Sequence, residues 1–212
     1  MAEAFYSAGD FYMKSVIFDF DGVIHDTLDL VYEISRQIHG ISLEEYTDFF
    51  NGNVYQNAGI GEEEAKIFLA MQAEGFRKLQ IEHHIREELL NLKNEYELFI
   101  VTSNSETILN EYFENNGIMN VFKRVLGVET HKSKVEKFRI LMNEHGVEPE
   151  TSVFITDTLG DILEANKAGL RTIAVDFGFH ERGRLEKGSP HAIISDFRDL
   201  RPEIEKLKRS KV

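Results

Sequence analysis

The sequence predicts an α/β protein with a doubly wound parallel-sheet core and a small all-helical cap inserted after the first strand. Three observations predict it. Six short apolar runs recur along the chain, helical patterns separate most of them, and one long interval near the N-terminus carries helical patterns alone. Apolar runs with no polar face belong to a sheet covered on both sides, and parallel strands need crossover connections, usually helices.

In chain order, the strand-like runs are 14–20, 97–102, 124–128, 152–156, 171–175 and 192–194. Between the second and third, residues 105–116 carry Ile108, Tyr112 and Phe113 at helical spacing and stop near Gly117. Between the third and fourth, residues 133–145 carry Val135, Phe138, Ile140, Leu141 and Met142 and stop at Gly146. Residues 28–94 break this rhythm. Leu28–His39 is amphipathic, Ser42-Leu-Glu-Glu45 is a capping box opening another helix, and 62–93 reads as one or two more. A connection this long exceeds the usual crossover, so it is expected to be a separate module. The domains are then a core of 13–27 and 95–212, a helical cap of 28–94 joined at 26–28 and 93–96, and an extension of 1–12.

Composition narrows the function. A chain of 212 residues with 42% hydrophobic and 29% charged residues and three prolines reads as globular. The formal charge of −13 argues against nonspecific binding to nucleic acid or to an anionic membrane, which needs a basic surface. The absence of cysteine excludes disulfides, thiolate metal sites and cysteine nucleophiles. No signal-like or membrane-spanning stretch appears, so a cytoplasmic protein, monomeric or homodimeric, is expected.

The segment VIFDFDGVIHDT (16–27) sets Asp19 and Asp21 at the end of the first strand inside an apolar run. Ionised groups there lose solvation unless something compensates them. In a doubly wound sheet the carboxyl ends of the strands converge on one crevice. Asp157 ends the run VFIT and Asp161 follows at a helix start, so four carboxylates approach one place. The cheapest compensation is a hard divalent cation, and an all-oxygen site suits Mg2+. Thr102 and Ser103 close the second strand with hydroxyls, Gly22 lets the backbone approach closely, and Lys132 or Lys134 follows the third strand in HKSK. The spacing to Asp157 favours Lys132. Carboxylates, cation, hydroxyls and an ammonium around one small space describe a phosphoryl-transfer site.

These motifs resemble the haloacid dehalogenase superfamily of phosphohydrolases, specifically its capped, phosphoglycolate-phosphatase-like members on a Rossmann-like core. Asp19-Phe-Asp21-Gly-Val matches the first motif, Thr102 the second, Lys132 the motif lysine and TDTLGDILEANKAG (156–169) the acidic last motif. The resemblance implies that Asp19 is the nucleophile and forms an aspartyl phosphate, and that Asp21 is the acid and base. Asp21 then needs a pKa raised relative to Asp19 by neighbouring anions. It further implies Mg2+ bound by the Asp19 carboxylate, the Asp21 carbonyl and the Asp157 carboxylate, with Asp161 orienting those ligands rather than touching the ion. Thr102, Ser103, Lys132 and Gly22 would hold the phosphate.

Other residues carry bland readings. His25 is expected to be packed or at the surface, His83-His84 lacks a zinc pattern, and Phe49, Phe50, Phe68 and Phe76 are expected to form the cap's own core. Phe177-Gly-Phe-His180 reads equally as a loop turning at Gly178 or as a segment seen in phosphoglycolate-phosphatase-like members. The expected function is Mg2+-dependent hydrolysis of a small phosphorylated metabolite, with phosphoglycolate, a sugar phosphate and pyrophosphate all open. A phosphomutase or phosphotransferase of the same fold shares these motifs. A phospho-accepting receiver module fits less well, because Asp21 promotes hydrolysis and a receiver has no use for the insertion. A catalytically silent binding protein has little support, since no motif residue is missing.

Overall fold

The computed structural model describes residues 12–59 and 61–209. The expected N-terminal extension, apart from Tyr12, and the end of the basic tail lie outside them. The strands are β1 (Ser15–Phe18), β2 (Glu97–Val101), β3 (Arg124–Leu126), β4 (Ser152–Thr156), β5 (Arg171–Val175) and β6 (Ala192–Ile194). Between β1 and β2 lie α1 (Leu28–His39), α2 (Leu43–Asp48), α3 (Val54–Asn57), α4 (Glu62–Phe76) and α5 (His83–Lys93). The later helices are α6 (Glu106–Asn115), α7 (Lys134–His145), α8 (Leu159–Lys167), α9 (Arg182–Leu185) and α10 (Leu200–Arg209).

All six predicted strands form one sheet in the order β3-β2-β1-β4-β5-β6, every neighbouring pair parallel. The order runs outward in both directions from β1 and β4. The crevice for ligands in such a sheet opens at the carboxyl ends of those two central strands. Side chains alternate across the sheet, as strand geometry requires. Val16, Phe18, Leu98, Ile100, Val153 and Ile155 pack on the side that also holds Val31, Phe76, Leu89 and Leu92 from the insertion. Ile17, Phe99, Val101 and Phe154 pack on the other, against Phe138 and Leu141 of α7 and Ala165 of α8.

Local chemistry sets the helix ends. Gly40, with φ 68°, terminates α1 in a left-handed turn and returns its N–H to the Arg36 carbonyl. Ser42 and Glu45 form the reciprocal capping box of α2. Residues 62–93 are two helices rather than one. The second, α5, buries Ile85, Leu89 and Leu92 and is tied to α10 by Arg201, which pairs with Glu88 at 3.0 Å and with Glu95. The C-terminal end of the 28–94 interval is thus fastened to the α/β core.

The insertion's aromatic residues pack only partly on one another, Tyr46 meeting Phe49 at 6.3 Å and Phe50 at 5.4 Å, and otherwise turn to the α/β core. Phe76 packs on Phe20 and Tyr112, with centroids 5.8 and 6.5 Å apart, and Phe50 packs on Phe179 at 5.1 Å. Helices this short cannot enclose several large rings, so they share the apolar surface of the sheet's loops and crossovers. Among the described residues, no helix is long and apolar enough to cross a membrane.

Candidate active site

The floor of the crevice is charged. Asp19, first residue beyond β1, is buried and keeps the ladder going by donating its N–H to the Ile155 carbonyl at 2.9 Å. Its Oδ1 accepts the Phe20 N–H at 2.7 Å and its Oδ2 the Lys134 ammonium at 2.7 Å. Asp157, beyond β4, accepts the Phe179 N–H on Oδ2 at 2.7 Å. Its Oδ1 is buried without any hydrogen-bond partner. Asp161 sits on the first turn of α8, where Oδ2 accepts from Lys134 at 2.6 Å and from the Thr156 hydroxyl at 2.8 Å.

The lysine is not the expected one. Lys132 is exposed, its ammonium 5.7 Å from the centre of the Tyr55 ring. Lys134 is 2% exposed and bridges Asp19 and Asp161. The helix register explains the difference, since Lys134 opens α7 on the face that buries Phe138 and Leu141, at i+4 and i+7, while Lys132 precedes the helix. Glu164 then caps α7, accepting the Ser133 hydroxyl and the Lys134 N–H, both at 3.1 Å.

Asp21 stands apart from this cluster with both oxygens engaged. Oδ1 accepts the Thr27 hydroxyl at 2.7 Å and Oδ2 the Asn104 amide at 3.0 Å. Neither partner stood out in the sequence as a site residue. The signal for them was position, Thr27 where the first motif ends and Asn104 in the hydroxyl-bearing loop after β2. Gly22, at φ 72°, is required here because a Cβ would lie 1.9 Å from Asp157 Oδ2. Thr102 is fully buried and its oxygen accepts the Asn104 N–H at 3.1 Å, which leaves its O–H to donate into the crevice beside Ser103. Behind it, the buried Lys137 ammonium donates to the Thr102 carbonyl.

Burial pushes the Asp19 carboxyl well above its usual range, and Lys134 offsets this only in part. Burial also pushes Asp157 up to about 8 and raises Asp21, against the hydrogen bonds from Thr27 and Asn104. At Asp21 the cause is lost solvation rather than neighbouring anions. At Asp161 burial is outweighed by Lys134 and the hydrogen bonds it receives, which hold it low. Burial works against the Lys134 charge, yet Asp161 and Asp19 keep its pKa above the ordinary value.

Asp19, Asp157 and Asp161 each present an oxygen within 4.8 Å of the other two. Three buried carboxylates, one oxygen unpartnered and two pKa values driven upward are the conditions a hard divalent cation relieves. The donor set fits Mg2+, with Asp161 standing in the cluster itself.

The roof comes from the insertion. Phe50, Gly52 and Val54 line the crevice together with Phe179 and leave about 30 Å³ of free space, room for an ion or a water rather than an ester. The loop is fastened to the floor. Asn53 donates to the Lys132 carbonyl at 3.1 Å and to Glu164 at 3.3 Å, and the Tyr55 hydroxyl donates to the Ser103 carbonyl. His180, in the Phe177–His180 segment of undecided role, accepts the Leu159 N–H at 3.0 Å and reaches the Thr47 carbonyl at 2.9 Å. A Cβ on Gly160 would meet the Gly52 carbonyl oxygen at 2.3 Å, so roof and floor touch backbone to backbone.

A family model described as haloacid dehalogenase-like hydrolase matches residues 16–175. Phosphoglycolate phosphatase 1 of Pseudomonas aeruginosa is 24% identical over 89% of this chain and 79% of its own length. Pyrophosphatase PpaX of Bacillus cereus is 24% identical over 93% and 99%. Among solved structures, a haloacid dehalogenase-like family hydrolase from Streptococcus pneumoniae superposes with a TM-score of 0.76 at 20% identity, covering 90% of this chain and 98% of that one.

Proposed function

We propose, since the chain belongs to the haloacid dehalogenase-like hydrolases, that this phosphatase cleaves a small phosphorylated metabolite through a phosphoryl group carried on Asp19. The observation that carries the reading is Lys134, buried between Asp19 and Asp161, which cluster with Asp157 and its unpartnered oxygen. Asp19 and Asp157, with the Asp21 carbonyl and Asp161 beside them, would hold Mg2+, whose charge offsets that of the carboxylates and of the phosphoryl oxygens.

An Asp19 carboxylate oxygen attacks phosphorus, the ester P–O bond breaks, and the departing oxygen takes a proton from Asp21. Asp21 then takes a proton from a water, whose oxygen attacks the same phosphorus and releases phosphate and free Asp19. Thr27 and Asn104 keep the Asp21 carboxyl in one orientation through both steps. Thr102 and Ser103 donate to the phosphoryl oxygens, and the Lys134 charge stabilises them. The insertion has to lift for the ester to enter and return to exclude bulk water. Replacing Asp19→Asn should abolish phosphate release and the acid-stable phosphoryl adduct seen by mass spectrometry in a quenched reaction. Turnover near wild type on any ester would remove Asp19 as nucleophile.

A further inference from the structure

Resting on that reading, we infer that the leaving group is a small uncharged alcohol, so that the substrate is a simple phosphate monoester without a carboxylate or second phosphate. In-line transfer places the leaving oxygen on the far side of phosphorus from Asp19, facing the insertion. What it meets there is Phe50, the Gly52 backbone and Val54, with the Phe179 ring alongside. None carries charge.

Among the described residues, no second cation lines the crevice. Among the described residues lining the crevice, Lys134 is the one base, and Asp19 and Asp161 both claim it. Lys132 rests over the Tyr55 ring, and Lys137 is bound to the Thr102 carbonyl behind the site. Carboxylates dominate the remaining polar lining, Glu164 included. A leaving group with its own anion would press that charge against an apolar wall, beside carboxylates and with nothing to pair it. Once the insertion has returned, the wall rests on the same contacts. Asn53 ties it to Lys132 and Glu164, and Gly160 admits no more than hydrogen beneath Gly52. Phosphoglycolate and pyrophosphate both carry the charge this roof does not accommodate.

The test compares phosphate release by the Mg2+-loaded enzyme from glycerol phosphate, phosphoglycolate and pyrophosphate, for wild type and for Val54→Lys. Wild type should favour glycerol phosphate in kcat/KM by at least about tenfold over either anionic competitor. Val54→Lys should narrow that ratio by a similar factor, because it supplies the missing cation. If phosphoglycolate or pyrophosphate ranks first for wild type, the inference falls while the phosphatase reading stands. If none of the three releases phosphate, the inference falls, because glycerol phosphate belongs to the class it names, and the Asp19→Asn comparison decides the phosphatase reading separately. Circular dichroism establishes that Val54→Lys is folded; should it not be, the wild-type ranking decides alone.

Discussion

Floor and roof of the crevice are built on opposite physical terms. On the floor, Asp157 Oδ1 is the one buried side-chain oxygen without a partner among the described residues lining the crevice, and the charges are buried at the ends of β1 and β4. In the roof, Phe50, Gly52 and Val54 offer rings, a methyl surface and backbone, attached by a handful of hydrogen bonds. The floor is where charge can be moved at low cost, because groups already fixed need no reorganisation. The roof can differ in shape and polarity without touching that chemistry. Damage to the floor should therefore appear in the chemical step, and damage to the roof in selection and closure.

With the nucleophile left in place, the largest effect is expected at Asp21. Replacing Asp21→Asn keeps both neighbours hydrogen-bonded but removes the transferable proton, so kcat should fall by about 10²–10⁴. Phosphate binding, measured by calorimetry, should be retained. A pH profile unchanged from wild type would dismiss Asp21 as acid and base.

The two lysines offer the next test. Lys134→Met strips two buried carboxylates of their partner, which should lower kcat about 10²–10³-fold and cost about 3–5 kcal/mol of stability. Lys132→Met, at an exposed site, should leave Tm within about 2 °C and kcat within about twofold. Equal losses in the two variants would show that the ion pairs of Lys134 do not matter to catalysis.

That pair also shows how much the sequence revealed. The six strands were legible because buried parallel strands leave unbroken apolar runs, and Asp19, Asp21, Asp157 and Asp161 because strand ends converge by topology. Spacing in sequence favoured Lys132, but a helix turns each residue by a fixed angle, and the register of Phe138 and Leu141 already marked Lys134 as inward. Asn104 and Glu164 act through contacts across long sequence separations, and Thr27 reaches Asp21 around an irregular six-residue turn, none of which a periodic pattern records. The roof was legible least. Phe50 and Phe76 read as a private core because periodicity shows that a ring is buried without showing against what.

Cation binding should sharpen the contrast through stability. Burial raises Asp157 to about 8 and raises Asp19 and Asp21 as well, so without metal the folded state keeps protons that the unfolded chain releases near pH 4. Stability contributed by these groups is therefore present in acid and lost as pH rises toward 8. Lys137, drawn down to about 7 by burial and then by Lys134, acts with the opposite sign only above that pH. Mg2+ needs the ionised carboxylates, so its stabilisation should grow from pH 5 to pH 7.5. At about a hundred times Kd it should reach about 5–10 °C in Tm. A Tm gain independent of pH, or absent throughout, would mean that the cluster does not hold the ion.

The smallest expected effect is in the roof's attachment. Asn53→Ala removes the hydrogen bonds to the Lys132 carbonyl and Glu164 and the cap that its Oδ1 gives the four-residue α3, but no charge and little apolar area. The closed arrangement should weaken by about 1 kcal/mol, and kcat/KM should drop about threefold to tenfold. Tm should move by no more than about 4 °C, because the lost bonds join the insertion to the floor and cap one short helix. Stopped-flow measurement of phosphate release would place the loss before the chemical step. If Tm instead fell as far as in Lys134→Met, the roof would have to be counted as part of the core's own packing, and the division between the two regions would disappear.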